Sequence, residues 1–207
     1  MRLSFVLVFL LINQPSLVLA EKDPRSIEKI LFNVFLDKKQ VGTHSFVIEQ
    51  KNQHIWVESN MQLEGKFWGL VPFKYTHQST EHWKNGCLIN LQSQTLKRGK
   101  TVSVSARYSE AGLTITNANK AELIEGCIKS FAYWNSSALK GNQLLNTEDG
   151  KLVDVEIETI HTQGVLGKSV VIRSSEADIN LQYGADGKWL SLKSYLDVGG
   201  LLHYIRQ

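Results

Sequence analysis

Apolar and polar residues alternate with a period of two through most of the chain, and this alternation constrains the fold more than any other feature. The clearest run places four apolar side chains on one face of a strand: Ile30, Phe32, Val34 and Leu36. Similar runs lie at 55–63, 102–108, 153–158 and 178–183. Each run has one apolar and one polar face, which is typical of an antiparallel sheet with one side toward solvent.

Turn signals separate these runs at short intervals. Asn85-Gly86 and Asp186-Gly187 favour tight hairpins, because these residue types tolerate a positive φ. We expect about ten to twelve strands in meander order, joined by short loops. A large open meander has to curl or close to protect its edges. The sequence therefore predicts an all-β fold, a single curved antiparallel meander sheet or open barrel, with at most one short helix near 121–131.

The first twenty residues are typical of an export signal. Arg2 precedes an apolar run of about ten residues, and the segment ends on the small residue Ala20. The run is shorter than the roughly twenty residues of a membrane-spanning helix, so a cleaved signal is favoured over an anchor. We expect residues 1–20 to be a cleaved signal peptide. Residues 21–207 then form a single β domain in the periplasm that does not span the membrane.

Charge and motif content exclude several classes of function. Lys and Arg number 23 against 20 Asp and Glu, and this small, scattered excess is not the basic surface of a nucleic-acid-binding protein. The sequence has no spacing typical of metal ligands, no phosphate-binding glycine loop and no nucleophile motif. We therefore predict no metal site, no cofactor and no catalytic residue.

Cys87 and Cys127 are the two cysteines of the chain. In an oxidising compartment such a pair favours a disulfide, which would stabilise the fold by about 4 kcal/mol. The alternative is two buried thiols, because sequence does not show whether the two come within bonding distance. A less favoured functional alternative is an enzyme that uses Cys127 as a nucleophile beside a histidine, although no spacing selects the histidine.

One segment, 71–84, combines aromatic and ionisable side chains on a single strand face, and the opposite face is more polar. Apolar rings with a few polar anchors are typical of a ligand pocket, while the alternative is a solvated face near a sheet edge. The preceding loop, KFWGLVPF at 66–73, is either a flap over this pocket or a plug for the end of the core. The predicted ligand-binding residues are four in the pocket and two at its rim: Tyr75, His77, Glu81 and Trp83, with Trp68 and Phe73.

From residue 32 to the C-terminus, the chain resembles a family of secreted bacterial proteins that share a domain of unknown function. The matching segments are FNVFLDKKQVGTHSF, YTHQSTEHWKNGCL, CIKSFAYWN, LLNTEDGKLVDVEI and LQYGADGKWLSLKSYLDVGGLLHY. The resemblance implies an exported, all-β, single-domain protein with no characterised activity. The strand pattern is also similar to the curved half-barrels of lipoprotein carriers, an analogy of architecture alone.

Together, these observations favour a periplasmic binding or carrier-like protein. Its partner would be a lipid or another apolar or amphipathic small molecule, held on the concave face of the sheet. The main alternative is a structural or interaction protein of the cell envelope, whose sheet edge pairs with a partner protein.

Overall fold

A computed structural model describes residues 25–67, 69–118, 120–161, 167–196 and 199–207. The predicted signal peptide, 1–20, and the predicted rim residue Trp68 lie outside the described residues. Fourteen strands follow one another along the chain. They are β1 (Arg25–Leu36), β2 (Lys39–Lys51), β3 (His54–Phe67), β4 (Val71–Lys84), β5 (Cys87–Lys97), β6 (Lys100–Ser109), β7 (Gly112–Asn117), β8 (Lys120–Ile124), β9 (Gln143–Leu145), β10 (Leu152–Ile160), β11 (Lys168–Ser174), β12 (Asp178–Tyr183), β13 (Trp189–Tyr195) and β14 (Leu201–Arg206).

All fourteen strands form one antiparallel sheet, in the order β8-β7-β6-β5-β4-β3-β2-β1-β14-β13-β12-β11-β10-β9. The first strand pairs with the last, with Phe32 opposite Arg206, so the two halves of the chain lie side by side. The sheet is not closed into a barrel, because β8 and β9 are at opposite ends of this order. The prediction of an all-β antiparallel meander is confirmed, with more strands than the ten to twelve expected.

The described residues contain no helix, which agrees with the prediction of at most one, and the weak helical pattern at 121–131 does not form one. Residues 120–124 instead pair with β7, with Lys120 opposite Asn117 and Ile124 opposite Leu113. Gly126 then adopts a φ of 89°, which an α-helix does not accommodate. Tertiary pairing with the preceding strand therefore overrides the weak helical pattern. No described segment forms a helix of the length and apolarity needed to cross a membrane.

The apolar faces predicted from alternation form one core. The four residues that define the first predicted strand face are all buried: Ile30, Phe32, Val34 and Leu36. The same core includes Val104 of β6 and Val155 of β10, which belong to different halves of the chain. A single core shared by both halves requires the sheet to wrap around it. The two ends of the strand order lie near each other without strand pairing. Asn117 of β7 donates a hydrogen bond to the carbonyl oxygen of Asp149, which lies between β9 and β10.

A long irregular segment covers the inner face of this sheet. We call residues 125–151 the crossing segment; it joins β8 to β10 and contains the short strand β9. Leu144 and Leu145 of β9 are completely buried, so the segment is part of the core. The amide of Leu145 donates to the carbonyl oxygen of Lys129, which joins the two ends of the segment. The crossing segment therefore covers part of the concavity in which sequence analysis placed a ligand.

Candidate functional site

The inner face of β4 carries every described residue of the predicted pocket. Strand alternation points Phe73, Tyr75, His77, Glu81 and Trp83 to the same side of the sheet. The last three are buried, and the first two are partly buried near the β3–β4 turn. These residues therefore have different surroundings. Glu81 and Trp83 lie under the crossing segment, whereas Phe73 and Tyr75 lie close to the β3–β4 turn.

Glu81 and Trp83 find their polar partners within the protein. The indole Nε1 of Trp83 donates a 2.8 Å hydrogen bond to Oε2 of Glu81. Ser130 of the crossing segment donates to the same oxygen at 3.0 Å. Burial raises the pKa of Glu81, and these two hydrogen bonds oppose that shift. This arrangement fixes the crossing segment on the sheet.

His77 is also held by side chains of the protein. Its Nδ1 lies 2.8 Å from Oγ1 of Thr95 on β5. Its Nε2 lies 3.2 Å from Oγ1 of Thr147 in the crossing segment. Burial lowers the pKa of His77, although the Glu148 carboxylate acts in the opposite direction. A neutral imidazole with one donor and one acceptor nitrogen fits these two hydroxyl partners.

Two buried polar atoms beside His77 are unsatisfied. Nδ1 of His44 and Oη of Tyr75 have no hydrogen-bond partner among the described residues. The other ring nitrogen of His44 lies 2.7 Å from Oγ of Ser59. Burial lowers the pKa of His44 to about 3, with a smaller contribution from His77. An unsatisfied buried polar atom costs about 1–3 kcal/mol, so such atoms mark a place where a ligand or water can bind.

Further polar side chains converge on the same place from distant segments. Tyr204 is buried and Tyr133 is partly buried, and burial raises the pKa of both, with a further contribution from the Glu148 carboxylate. Oη of Tyr204 donates to Sδ of Met61 at 3.2 Å. The side chain of Glu148 is 34% exposed, so the group reaches the surface there. We call this set the inner polar cluster: His44, Tyr75, His77, Tyr133, Glu148 and Tyr204.

Sequence reasoning found two members of the inner polar cluster and missed four. Tyr75 and His77 share a strand face, so alternation detects them together. His44, Tyr133, Glu148 and Tyr204 come from β2, the crossing segment and β14. Of these four residues, His44 alone has a local signal, which is its inward position in the alternation of β2. Packing between distant segments brings the four together.

The tip of the loop before β4 is exposed, while Phe67 and Phe73 on its two sides pack against the core. Leu70 is 80% exposed and Val71 is 50% exposed. Behind them, the ring centroids of Phe67 and Phe73 lie 4.5 Å apart. Phe73 occupies space that is open because residue 65 is glycine: a Cβ there would lie 2.9 Å from the phenylalanine ring. An apolar path thus leads from the exposed tip through the two rings toward Tyr75.

Neither cysteine is free to act as a nucleophile. Cys87 and Cys127 form a disulfide, with their Cα atoms 5.1 Å apart. The bond ties the start of the crossing segment to the β4–β5 hairpin and leaves no thiol for the Cys127 enzyme alternative. Among the described residues, no group of three or more His, Cys, Asp or Glu side chains could hold a metal ion.

A surface depression lies on the opposite face of the sheet. It is a shallow groove of about 900 Å³ across β2 to β7. Side chains that face solvent there are mainly amides and hydroxyls, including Asn60, Gln78 and Gln94. These groups are ordinary for the wet face of an antiparallel sheet. The groove has no buried unsatisfied atom like those of the inner polar cluster among the described residues, so it is the weaker candidate site.

Comparison with solved structures finds the same fold in a protein from a bacterium. The crystal structure of a beta-barrel-like protein of the domain of unknown function DUF1849, from Brucella abortus, superimposes with a TM-score of 0.64. The match covers 89% of this chain and 96% of that chain, at 9% sequence identity. This likeness establishes the fold and carries no activity. A search of curated protein sequences finds no match.

The sequence itself places the chain in a family. The sequence profile of DUF6134, a domain of unknown function, matches residues 32–207. The match begins within β1 and continues through β14, so it includes the whole crossing segment and every described member of the predicted pocket. The resemblance inferred from the sequence segments is confirmed at the level of a family without a characterised activity. The chain belongs to the DUF6134 family.

Proposed function

We propose that this protein is an exported, periplasmic binding protein that holds an apolar or amphipathic small molecule, such as a lipid, against the inner face of its sheet. The observation that carries the proposal is the pair of buried, unsatisfied atoms, Oη of Tyr75 and Nδ1 of His44. The Cys87–Cys127 disulfide is compatible with an oxidising compartment such as the periplasm.

The chemistry of the cluster favours an uncharged polar group on the ligand. Burial lowers the pKa of His44 and raises the pKa of Tyr75, so both side chains are neutral at physiological pH. The Glu148 carboxylate interacts with the hydroxyl of Tyr75 and raises its pKa further, although Oη has no partner at full hydrogen-bond geometry. This carboxylate disfavours an anionic head group. A hydroxyl or carbonyl group fits best, with an apolar body along Phe73 and Phe67.

A binding assay with a fluorescent monoacylglycerol, an uncharged amphipathic probe, tests the proposal. Replacing Tyr75 with Phe removes the unsatisfied hydroxyl and should weaken binding about tenfold, the usual value of one hydrogen bond in a dry site. Tyr108→Phe is the matched control, because Tyr108 is 49% exposed on β6 and loses the same atom. No saturable binding to the wild type, or equal affinity in Tyr75→Phe, would contradict the proposal.

A second candidate function rests on the exposed edge of the sheet. β8 is a terminal strand with one partner, β7, and its Leu123 is 51% exposed. Such an edge can accept a strand from another envelope protein. In that case a stoichiometric partner would co-purify with the wild type and not with Leu123→Lys, since an edge lysine disfavours strand addition.

A further inference from the structure

The β3–β4 hairpin ends in an apolar tip that extends past its neighbour. Leu70 and Val71 are 80% and 50% exposed. Tyr75 of β4 lies opposite Lys97, the last residue of β5. The hairpin therefore continues four residues beyond β5, from Tyr75 to Val71, which is about 14 Å at the rise of a strand. A partner can therefore contact the apolar tip without contacting the rest of the sheet.

Basic side chains surround the base of this tip: Lys66, Lys74, Lys97, Arg98 and Lys100, all exposed. Two carboxylates lie among them. Glu64 is opposite Lys74 in the β3–β4 register. Oε2 of Glu148 lies 3.3 Å from Nζ of Lys97. Five cations against two carboxylates give this end of the sheet a positive surface beneath an apolar point.

We propose that this tip docks the protein on an anionic lipid surface. An apolar segment beside lysines suits such a surface, because the apolar part enters the boundary between head groups and acyl chains while the cations meet lipid phosphates. Insertion of this kind reaches roughly 5–10 Å. Lys74 lies three residues from Val71, about 10 Å along the strand, so an inserted tip brings the lysines to the level of the head groups.

This inference goes beyond the proposed function and does not depend on it. The docking surface consists of exposed residues of two hairpins, whereas the inner polar cluster consists of buried and partly buried residues; Glu148 borders both. Docking would also give a lipid a short route inward, because Phe67 and Phe73 connect the tip to the region of Tyr75. A vesicle-binding assay reads the tip alone, so its failure leaves the monoacylglycerol assay unaffected.

Flotation with vesicles of phosphatidylcholine, with and without phosphatidylglycerol, tests the docking surface. The wild type should float with the anionic vesicles and be released by high salt. The double variant Leu70→Ser/Val71→Ser should bind at least tenfold more weakly, since it loses the two apolar side chains that insertion into the lipid would bury. Ile27→Ser is the matched control, because Ile27 is 57% exposed on β1. Its binding should equal that of the wild type.

The basic residues are tested separately with Lys66→Gln/Lys74→Gln, which should lose about fivefold per removed charge on the anionic vesicles. Melting temperatures equal to that of the wild type ensure that each variant is folded. No binding to anionic vesicles, equal binding to neutral vesicles, or unchanged binding of the serine double variant would overturn the proposal. Tip-dependent dimerisation without vesicle binding would also overturn it in favour of a second copy as the partner.

Discussion

Ser130 of the crossing segment donates a 3.0 Å hydrogen bond to Glu81, which is buried on the inner face of β4. Trp83 donates to the same carboxyl oxygen at 2.8 Å. Glu81 and Ser130 are 49 residues apart in sequence. The hydrogen bond therefore joins the first half of the sheet to the segment that covers it. Glu81, predicted as a ligand contact, anchors the crossing segment in this structure.

Replacing Glu81 distinguishes an anchor from a ligand contact. Glu81→Ala leaves two buried donors, on Trp83 and Ser130, without an acceptor, so we expect a loss of about 2–4 kcal/mol in the free energy of unfolding. Glu81→Gln keeps an acceptor oxygen and removes an ionisable group from a buried site, so its loss should stay below about 1 kcal/mol. Urea unfolding at neutral pH measures both changes. Equal losses in the two variants would show that the acceptor oxygen of residue 81 does not account for the loss of stability.

The disulfide should make a large contribution to stability. Cys87 and Cys127 enclose a loop of 40 residues, for which the chain-entropy model gives about 4 kcal/mol. We expect Cys87→Ser/Cys127→Ser to lose that amount in urea unfolding. Reducing the wild type with dithiothreitol should produce the same loss, and the reductant should not change the double variant. A double variant as stable as the oxidised wild type would contradict this prediction.

His44 should make the protein sensitive to mild acid. Its pKa falls from 6.5 to about 3 in the folded state, mainly because the ring is buried. Between these values the unfolded chain binds a proton that the folded chain does not, so stability falls as the pH drops through this window. His44 alone should cost about 2 kcal/mol on going from neutral pH to about pH 5.

A variant comparison isolates this effect, because other buried groups also titrate. The pKa of Glu81 is raised by burial, so its contribution to stability changes with pH in the opposite direction. Unfolding free energies of wild type and His44→Gln, measured across the same pH range, remove that common contribution. The variant should show a smaller loss in acid, while His161→Gln, at an exposed position, should follow the wild type. Identical pH profiles for wild type and His44→Gln would refute the assignment.

Local patterns predicted the strands well, because the alternation within each strand indicates which of its two faces is buried. The alternation of Ile30, Phe32 and Val34 marks β1, and Asn85-Gly86 marks the β4–β5 turn, where both residues have a positive φ. Pairing between distant segments has no such local signal. The contact between β1 and β14 and the path of the crossing segment depend on packing across the whole chain.

The same limit explains the partial prediction of the site. Sequence analysis found Tyr75 and His77 because they lie two residues apart on one strand. The sequence did not reveal that the crossing segment would hold His77 through Thr147 and leave the hydroxyl of Tyr75 unsatisfied. Aromatic residues on a strand face indicate an inward position. They do not distinguish side chains that bind a ligand from side chains that bind another part of the same chain.

Native mass spectrometry of the protein, purified without denaturant from its producing cells, shows whether a small molecule occupies the inner polar cluster. Organic extraction of the same sample identifies any small molecule that is released. We expect a stoichiometric adduct that is apolar or amphipathic and carries an uncharged polar group. This adduct should be lost or depleted in Tyr75→Phe. A bare protein mass, or an adduct of equal occupancy in Tyr75→Phe, would contradict a ligand site at the inner polar cluster.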